Sequence, residues 1–365
     1  MEKRKNLAVV CLTAVFLLGF LLWSIIKPDE TVSHSERRRL AQAPELTAAS
    51  VLSGDFMTQF ESYALDQFPL RDSFRRLKAI TLLDILRERD NNGIFIADGY
   101  AAKLEDTVDE ASVQHAADRF QFLYDRYLAG NGVRIYTAII PDKTAFLARQ
   151  NGYPSIDFPA FSALVQKHMP YAEPIDLTAD LSLSSYYRTD LHWRQEALLP
   201  VAVRIAGAMG VALSETYDTV TADAPFYGVY CGQSALPLKP DTLRYLTNER
   251  LLACTVHDYE TGLDGPVYDL SALDGEDPYS MFLAGSKSLL SIINPNAQTD
   301  RELVVFRDSF ASSLVPLLLE GYAKITLVDI RYLQPERLGN WLSFDDQDIL
   351  FLYSAAVLNN SETLK

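Results

Sequence analysis

The stretch LVVFRDSF at residues 303–310 decides the fold class of this chain. The apolar run Leu303 to Phe306 is typical of a strand buried on both faces, and a helix is predicted next, near residues 310–321. Similar apolar runs lie at residues 133–140, 325–330 and 349–353. Because predicted helices separate these runs, the sequence predicts an α/β fold: a parallel sheet with helices on both faces.

Ser309 lies where this strand would turn into the helix. A serine in such a turn presents its hydroxyl group, and the first backbone N–H groups of the helix can bind a developing oxyanion. Ser309 is therefore a candidate nucleophile. The alternative is that Asp308 or Ser309 only caps the helix, a position that both residue types favour.

The second segment that can carry chemistry is Asp190-Leu-His192-Trp193, in a chain with only 5 histidines. In a turn or an extended backbone, side chains two positions apart lie on one side. The Asp190 carboxylate can then hold the His192 ring in one tautomer, as in a Ser-His-Asp system. The alternative is that Asp190 caps the helix predicted at 194–209 and that His192 is structural.

Other classes of chemistry have little support. The sequence contains no G-x-x-x-x-G-K-[ST], G-x-G-x-x-G, H-E-x-x-H or C-x-x-C motif, so no cofactor is expected. A metal site at His192 would need further ligands, and His115 and His257-Asp258 are candidates by residue type alone. No metal is expected. The formal net charge of −15 repels phosphate backbones, so nucleic acid is not an expected partner.

The N-terminus contains an uncharged, mostly apolar run of 20 residues, Leu7 to Ile26. As a helix it would span about 30 Å, the thickness of the hydrocarbon core of a bilayer. Basic residues at positions 3–5 precede it and no small-residue cleavage site follows, which predicts an uncleaved signal anchor. We expect a single-pass cell-membrane protein with an extracytoplasmic C-terminal domain, with Arg37–Arg39 competing against that orientation under the positive-inside rule.

Composition predicts how the chain is organised. The predicted segments are a cytoplasmic tail with the anchor (1–27), a polar tether (28–52), one α/β domain (53–358) and a short tail (359–365). Residues 214–282 are rich in Gly, Pro, Tyr and Asp, and we expect them to form a β-rich insertion in that domain. Cys231 and Cys254 can form a disulfide there or be two unrelated thiols.

Together, Asp190–Trp193 and Arg307–Phe310 resemble the DHHW family and its relatives, the alginate O-acetyltransferase-like proteins with an SGNH-hydrolase-like fold. The resemblance continues in residues 35–41, 54–56, 61–63, 66–72, 279–285 and 328–332, and it covers most of the chain after the apolar run. The Asp-x-His segment precedes the serine, which is the permuted order of the acetyltransferase-like members.

The resemblance implies a catalytic triad and an oxyanion hole. Ser309 would be the nucleophile, His192 its base and Asp190 the residue that orients the base. The backbone N–H of Ser309 and the Gly285-Ser286 segment would bind the oxyanion. Ser286 stands where the family has an asparagine, and loss of one oxyanion donor costs about 10²–10³ in rate.

A second departure is Leu191, which occupies the position of the first histidine of the family's name. The implied function is an extracytoplasmic O-acetyltransferase or acetylesterase acting on a cell-envelope polysaccharide or exopolysaccharide. A membrane-bound O-acyltransferase is the implied partner that would supply acetyl groups. The candidate substrate-binding residues are Trp193, Arg307 and Tyr187.

The alternative function is a non-catalytic protein that binds or assembles polysaccharide and retains a degenerate site. Trp193, Tyr186, Tyr187 and the tyrosine-rich segment 226–245 would then stack on sugars. Ordinary core packing is the other explanation for these aromatic residues.

Overall fold

The structure, a computed structural model, describes residues 2–214 and 216–365. The chain forms two compact units. The first contains residues up to Asn92 together with 231–237, and the second contains residues 93–230 and 238–365. The helical segment 53–92, predicted to belong to the α/β domain, therefore clusters with the N-terminal helix.

The first unit is mainly helical. Its elements are α1 (Glu2–Ile26), β1 (Val32–Ser33), β2 (Arg38–Arg39), α2 (Ala48–Ser53), α3 (Asp55–Asp66) and α4 (Arg71–Ile80), which continues as a π-helical turn, Thr81–Ile85. Among the described residues, α1 is the one helix long and apolar enough to cross a membrane, with a mean hydropathy of 2.7. It is a candidate membrane anchor, although a signal sequence has the same features.

Residues 28–52, predicted to be a tether, are bonded to Asp66 at the end of α3 and to Gln67, which follows it. The Gln67 side chain accepts from Glu30 N and donates to the carbonyls of Glu30 and Ala41. Arg38 donates two hydrogen bonds to Asp66, and these bonds lower the pKa of that carboxyl to about 2. The segment is therefore part of the first unit.

The second unit is built on one eight-stranded sheet. In chain order its strands and helices are β3 (Ile94–Ala97), β4 (Tyr100–Lys103), α5 (Glu110–Leu123), β5 (Arg134–Ile140), α6 (Thr144–Leu147), α7 (Phe158–His168), β6 (Glu173–Pro174), α8 (Leu199–Ala208), β7 (Asp218–Phe226), α9 (Val229–Ser234, which crosses the unit boundary), β8 (Asp241–Thr247), α10 (Glu249–Ala253), β9 (Thr255–Asp258), β10 (Leu263–Gly265), β11 (Leu289–Ile293), β12 (Glu302–Arg307), α11 (Ala311–Leu314), β13 (Lys324–Val328), β14 (Asp348–Ser354) and α12 (Ala355–Leu358).

The strand order of this sheet is β10-β9-β11-β13-β12-β14-β5-β6. The five strands from β13 to β6 are mutually parallel, and β11, β9 and β10 extend the sheet antiparallel. The predicted α/β class is confirmed. The antiparallel extension was not predicted, because two of its strands come from the stretch 214–282 that we expected to lie apart as an insertion.

Strand β12 is buried on both faces, as its apolar run predicts. Leu303 and Val305 belong to the core cluster on one face, and Val304 and Phe306 to the cluster on the other. This alternation follows from the two-residue period of a strand. Helices α8 and α11 contribute to the first cluster, and α5 and α7 to the second. The strand is thus held rigidly in the centre of the unit.

The helix predicted near 310–321 is shorter than expected. Only Ala311–Leu314 is α-helical, and the chain continues as a 3₁₀ helix, Val315–Gly321. Pro316 explains the change, because proline lacks the N–H that an α-helix would use at that position. Cys231 and Cys254 are both thiols in the structure, with no disulfide between them.

Candidate active site

Ser309 lies in the turn after β12, the strand that is flanked by the parallel strands β13 and β14. It is partly exposed, whereas Asp308 before it is fully buried. The Asp308 carboxylate accepts from Phe310 N at 3.0 Å, from Ser354 N at 2.8 Å and from Ser354 Oγ at 2.7 Å. Because Ser354 ends β14, the adjacent strand fixes the turn that presents Ser309.

The structure brings Ser309, His192 and Asp190 together. Ser309 Oγ lies 2.8 Å from His192 Nε2, although the two residues are 117 positions apart in the chain. His192 Nδ1 lies 2.6 Å from Asp190 Oδ1. An ionised carboxylate only accepts hydrogen bonds, so Nδ1 carries the ring proton and Nε2 accepts from the Ser309 hydroxyl. This is the arrangement of a nucleophile, its base and an orienting acid.

The alternatives in which these residues only cap helices do not fit this geometry. The Ser309 side chain bonds to His192, and α11 has no side-chain cap. Asp190 accepts from His192 N at 3.0 Å and from Val229 N at 2.9 Å, and it does not cap the helical segments that follow His192.

Asp190 is almost completely buried, which by itself raises the pKa of its carboxyl. The opposite charge on His192 and the hydrogen bonds from His192 and Val229 outweigh this effect and hold the pKa of Asp190 below its ordinary value. The carboxylate is therefore ionised at neutral pH and suited to orient an imidazole.

The segment from Tyr186 to Trp193 has no long regular structure of its own. A single antiparallel bridge pairs Tyr186 with Trp193, and Tyr187 N donates to His192 O at 3.1 Å. We call residues 186–193 the acid–base loop. Its conformation depends on contacts with other segments.

The first of these contacts is Lys143, whose side chain is fully buried. Its Nζ donates to three backbone carbonyls, those of Ala101 at 3.0 Å, Tyr187 at 2.6 Å and Asp190 at 2.5 Å. Two of these carbonyls belong to the acid–base loop. No motif in the sequence points to Lys143, because its partners are more than 40 positions away.

The second contact is Gly228, in the stretch 214–282. A Cβ on this glycine would lie 2.3 Å from Thr189 O and 2.4 Å from Asp190 Cβ, so no larger residue fits without a backbone shift. Gly228 N donates to Thr189 Oγ1 at 2.9 Å, and Asp241 accepts from Thr189 N and Oγ1 at 2.8 and 2.7 Å. This stretch therefore clamps the loop that holds Asp190.

The His192 ring is also packed from one side. Tyr279 stacks on it with ring centres 3.9 Å apart and planes 11° from parallel. The Tyr279 hydroxyl lies 2.9 Å from Ser313 Oγ. This stacking restricts the imidazole to the plane in which it meets Ser309. Tyr279 lies in one of the segments that carry the family resemblance, but the sequence analysis assigned it no role.

The structure corrects the expectation that Trp193, Arg307 and Tyr187 contact substrate, since all three side chains are fully buried. Trp193 Nε1 donates to Phe310 O at 2.9 Å. Arg307 donates to the carbonyls of Asp308 and Lys287 at 3.3 and 3.2 Å. These residues support the site from within. Tyr186, expected to stack on sugars in the alternative function, is also fully buried.

The predicted oxyanion segment Gly285-Ser286 lies in a strained loop. Leu283, Ala284 and Gly285 have φ values of 53°, 54° and 78°, and left-handed conformations are unfavourable for the first two. Ser286 is exposed. Arg307 bonds the carbonyl of Lys287, the next residue, and so ties this loop to the strand that precedes Ser309. The oxyanion role of the segment stays a prediction.

The histidines considered as metal ligands have other partners. His257 Nδ1 lies 2.7 Å from Asp264 Oδ1, and His115 Nδ1 lies 3.1 Å from Ser361 Oγ. Across residues 2–214 and 216–365, no group of three or more His, Cys, Asp or Glu side chains is arranged to hold a metal ion.

No protein-family model matches the sequence, and no curated protein is similar enough to be matched by sequence. Solved structures are similar in fold. A DHHW family protein from Eubacterium siraeum has a TM-score of 0.62 and 20% identity, covering 75% of this chain and 95% of that one. PatB1 from Bacillus cereus has a TM-score of 0.55 and 18% identity, covering 74% of this chain and 98% of that one.

A second structure of PatB1, with a sulfonyl adduct, has a TM-score of 0.54 and 17% identity, covering 73% of this chain and 97% of that one. At these identities the likeness concerns the fold. The chain therefore shares the fold of a DHHW family protein, as the resemblance of its motifs implied.

Proposed function

We propose that this chain is a membrane-anchored O-acetyltransferase or acetylesterase that acts on a cell-envelope polysaccharide or exopolysaccharide through Ser309, His192 and Asp190. The observation that carries the proposal is the continuous chain of short contacts from Ser309 Oγ through the His192 ring to the Asp190 carboxylate. Nothing local in the sequence requires residues so far apart to meet. A histidine with a purely structural role would not need a hydrogen bond between its Nε2 atom and a partly exposed serine.

The geometry supports acyl transfer in two half-reactions. Ser309 Oγ attacks the carbonyl carbon of an acetyl ester while its proton passes to His192 Nε2, and the leaving alcohol takes that proton as the ester bond breaks. A second hydroxyl then attacks the acetyl-serine and gives its proton to His192, which returns it to Ser309 Oγ as the bond between the acetyl group and the serine breaks. When the second hydroxyl belongs to a sugar the reaction is acetyl transfer, and when it belongs to water the reaction is ester hydrolysis.

The developing oxyanion needs donors close to Ser309. Within the described part of the chain, the backbone N–H of Ser309 has no hydrogen-bond acceptor, which leaves it available for this role. Ser286 would add a hydroxyl donor from the loop that Arg307 ties to β12. A serine hydroxyl in place of an asparagine amide is a weaker geometric match, so the proposal includes a lower rate than the family pattern would allow.

The acetyl donor is the remaining part of the proposal. The family resemblance implies a membrane-bound O-acyltransferase as the partner that delivers acetyl groups. The candidate anchor α1 supports this route, because it would confine the chain to the same membrane. The predicted orientation, with the C-terminal domain extracytoplasmic, would place Ser309 on the side where envelope polysaccharides are found.

The test uses the full-length chain and a sulfonyl fluoride, since a sulfonyl adduct is known for PatB1. We expect stoichiometric sulfonylation of Ser309, located by peptide mass spectrometry, and hydrolysis of 4-nitrophenyl acetate that the reagent abolishes. Ser309→Ala should lose both, with an activity drop of about 10⁴-fold or more. Ser162→Ala is the matched control, since Ser162 is also partly exposed and bonds Gln166 on α7, outside the site.

Two results would contradict the proposal. Equal ester hydrolysis by the parent chain and by Ser309→Ala would show that the serine is not the nucleophile. Glycan binding that survives Ser309→Ala, with no acyl-enzyme detected, would favour the non-catalytic polysaccharide-binding function instead. If the serine is the nucleophile, the product formed with an oligosaccharide acceptor identifies the activity. Acetylated oligosaccharide indicates a transferase, and free acetate indicates an esterase.

A further inference from the structure

Helix α4 and the turn that follows it present an apolar stripe in the first unit. Its residues recur at helical spacing and remain exposed: Leu70 by 50%, Phe74 by 38%, Leu77 by 60% and Ile85 by 68%. We call these four residues the α4 stripe. Leu70 precedes α4, Phe74 and Leu77 lie in it, and Ile85 ends the π-helical turn. Isolated exposed apolar residues are common, but a set that recurs at helical spacing indicates a surface that meets an apolar environment.

The opposite face of α4 is polar and packed. Arg71 and Arg75 form ion pairs with Glu36 at 2.5 and 3.1 Å, and Asp72 lies beside both arginines. Ala79 on this face is buried. One side of α4, with Arg71 and Arg75, is therefore packed within the first unit, and the other side, with the α4 stripe, is exposed.

The stripe begins against the candidate membrane-spanning helix. Phe20 of α1 stacks on Phe68, with ring centres 5.3 Å apart, and meets Phe74 of the stripe edge-on at 5.6 Å. An apolar groove of about 860 Å³ runs between α1 and α3 beside these rings. The apolar surface of α1 is thus continuous with the α4 stripe.

This contact fixes the depth of the stripe if α1 spans a bilayer. Phe20 lies six residues before Ile26, the last residue of α1, which corresponds to about 9 Å along the helix axis. Helices that lie in the membrane interface bury their apolar face about 5–10 Å into the boundary between headgroups and acyl chains. The contact between Phe20 and Phe74 places Phe74, the stripe residue that touches α1, within that range.

We propose that α4 lies in the interface of the lipid bilayer, with the α4 stripe in contact with the acyl chains of the leaflet that surrounds the end of α1. The inference rests on the anchoring part of the proposed function and does not depend on the catalytic part. Lys78, exposed beside the stripe, has a side chain long enough to reach headgroup phosphates. The alternatives, in which a second copy or another membrane protein covers the stripe, are decided by the test.

The test measures depth in the full-length chain, reconstituted in vesicles of phosphatidylcholine and phosphatidylglycerol. Three variants are made, each with one cysteine that carries an environment-sensitive fluorophore, and all three lack Cys231 and Cys254. The first keeps native Cys11 in α1. In the other two Cys11 is also replaced, and the cysteine is introduced by Leu77→Cys in the stripe or by Asp72→Cys on the polar face. Lipids with nitroxide groups near the headgroup or near the bilayer centre serve as quenchers.

We expect the Cys11 label to be quenched from the bilayer centre, and the Leu77→Cys label to be blue-shifted and quenched mainly by the shallow nitroxide. The Asp72→Cys label should show neither effect. A quenched Cys11 label with a water-like Leu77→Cys label would overturn the interfacial placement and leave the anchor intact. A blue-shifted Leu77→Cys label that no lipid quenches would show a protein cover instead of lipid. An unquenched Cys11 label would overturn the anchor itself, and the interfacial placement with it.

Discussion

The two halves of the candidate site are positioned by different kinds of structure. Ser309 follows β12, which pairs along its length with β13 on one side and β14 on the other. His192 and Asp190 lie on the acid–base loop, which has one isolated bridge. The first half is therefore held by backbone hydrogen bonds, and the second mainly by side chains that reach it from elsewhere.

This difference has a physical consequence. Backbone pairing in a central strand does not depend on any one side chain, so single substitutions should move Ser309 little. The acid–base loop depends on Lys143, on Asp241 and on the absence of a side chain at Gly228. We therefore expect substitutions outside the triad to impair the base more than the nucleophile.

The largest effect on the loop is expected from Gly228→Ala. Its methyl group would lie 2.3 Å from Thr189 O and 2.4 Å from Asp190 Cβ, so the backbone near Asp190 must shift. Misplacement of a catalytic group by about 1 Å costs about 10²-fold in rate. We expect a loss of this size in kcat/KM for 4-nitrophenyl acetate.

Gly265→Ala in β10 is the matched control, because a Cβ there meets nothing within 4 Å. It should retain parental activity. The unfolding temperatures of both variants are compared with that of the parent, so that activity is measured on folded protein. A fully active Gly228→Ala variant would mean that the loop tolerates the shift or that Asp190 does not orient the base.

A smaller effect, on the order of tenfold in kcat, is expected from Lys143→Met. Methionine fills a similar space but leaves three backbone carbonyls without their buried donor. An unsatisfied buried group costs about 1–3 kcal/mol, so the free energy of unfolding should also fall by about that amount or more. Because Lys143 holds the base and not the substrate, kcat should fall while KM stays the same.

Ser354→Ala provides the matched test of the other half. It removes one of the hydrogen bonds to Asp308 but leaves the Ser354 N–H bond and the strand pairing in place. We expect a smaller loss of kcat than for Lys143→Met, measured under conditions in which both variants are folded. The reverse order would show that side chains also position the nucleophile, and the contrast between the two halves would not hold.

The same contrast explains what the sequence could predict. The apolar runs predicted the central strands, since a strand buried on both faces needs apolar residues throughout. The serine after β12 and the Asp-x-His segment were recognisable because their residue types are local and chemically specific. Their meeting in space was expected only through the family resemblance, and the structure then supplied the distances.

The residues that hold the acid–base loop were beyond reach of the sequence. Lys143 looks like any lysine, and only its burial and three carbonyl partners reveal its role. Gly228 lies in a stretch rich in glycine and tyrosine, where no pattern separates a close approach from an ordinary loop. Trp193 and Arg307 were expected to contact substrate, but Trp193 pairs with Tyr186 in an isolated bridge and Arg307 ends a strand that is buried on both faces.

The smallest effect is expected on the pH dependence of the free energy of unfolding. This effect is absent at neutral pH and appears only in acid. In the folded chain the pKa of Asp190 lies below its ordinary value of 3.8, since the charge and hydrogen bonds of His192 outweigh burial. A carboxyl whose pKa is lowered by folding stabilises the folded state above its unfolded pKa, and this contribution is lost as the pH falls towards the folded value. The free energy of unfolding of the parent chain should therefore fall between about pH 5 and about pH 3 more steeply than that of Asp190→Asn, which has no carboxyl to protonate.

Urea unfolding at the two pH values measures the slopes, and the difference between the two chains removes contributions from other carboxyls such as Asp66. Equal slopes would show that Asp190 does not gain its charge stabilisation from folding, and the loop would then owe its acid sensitivity to other groups.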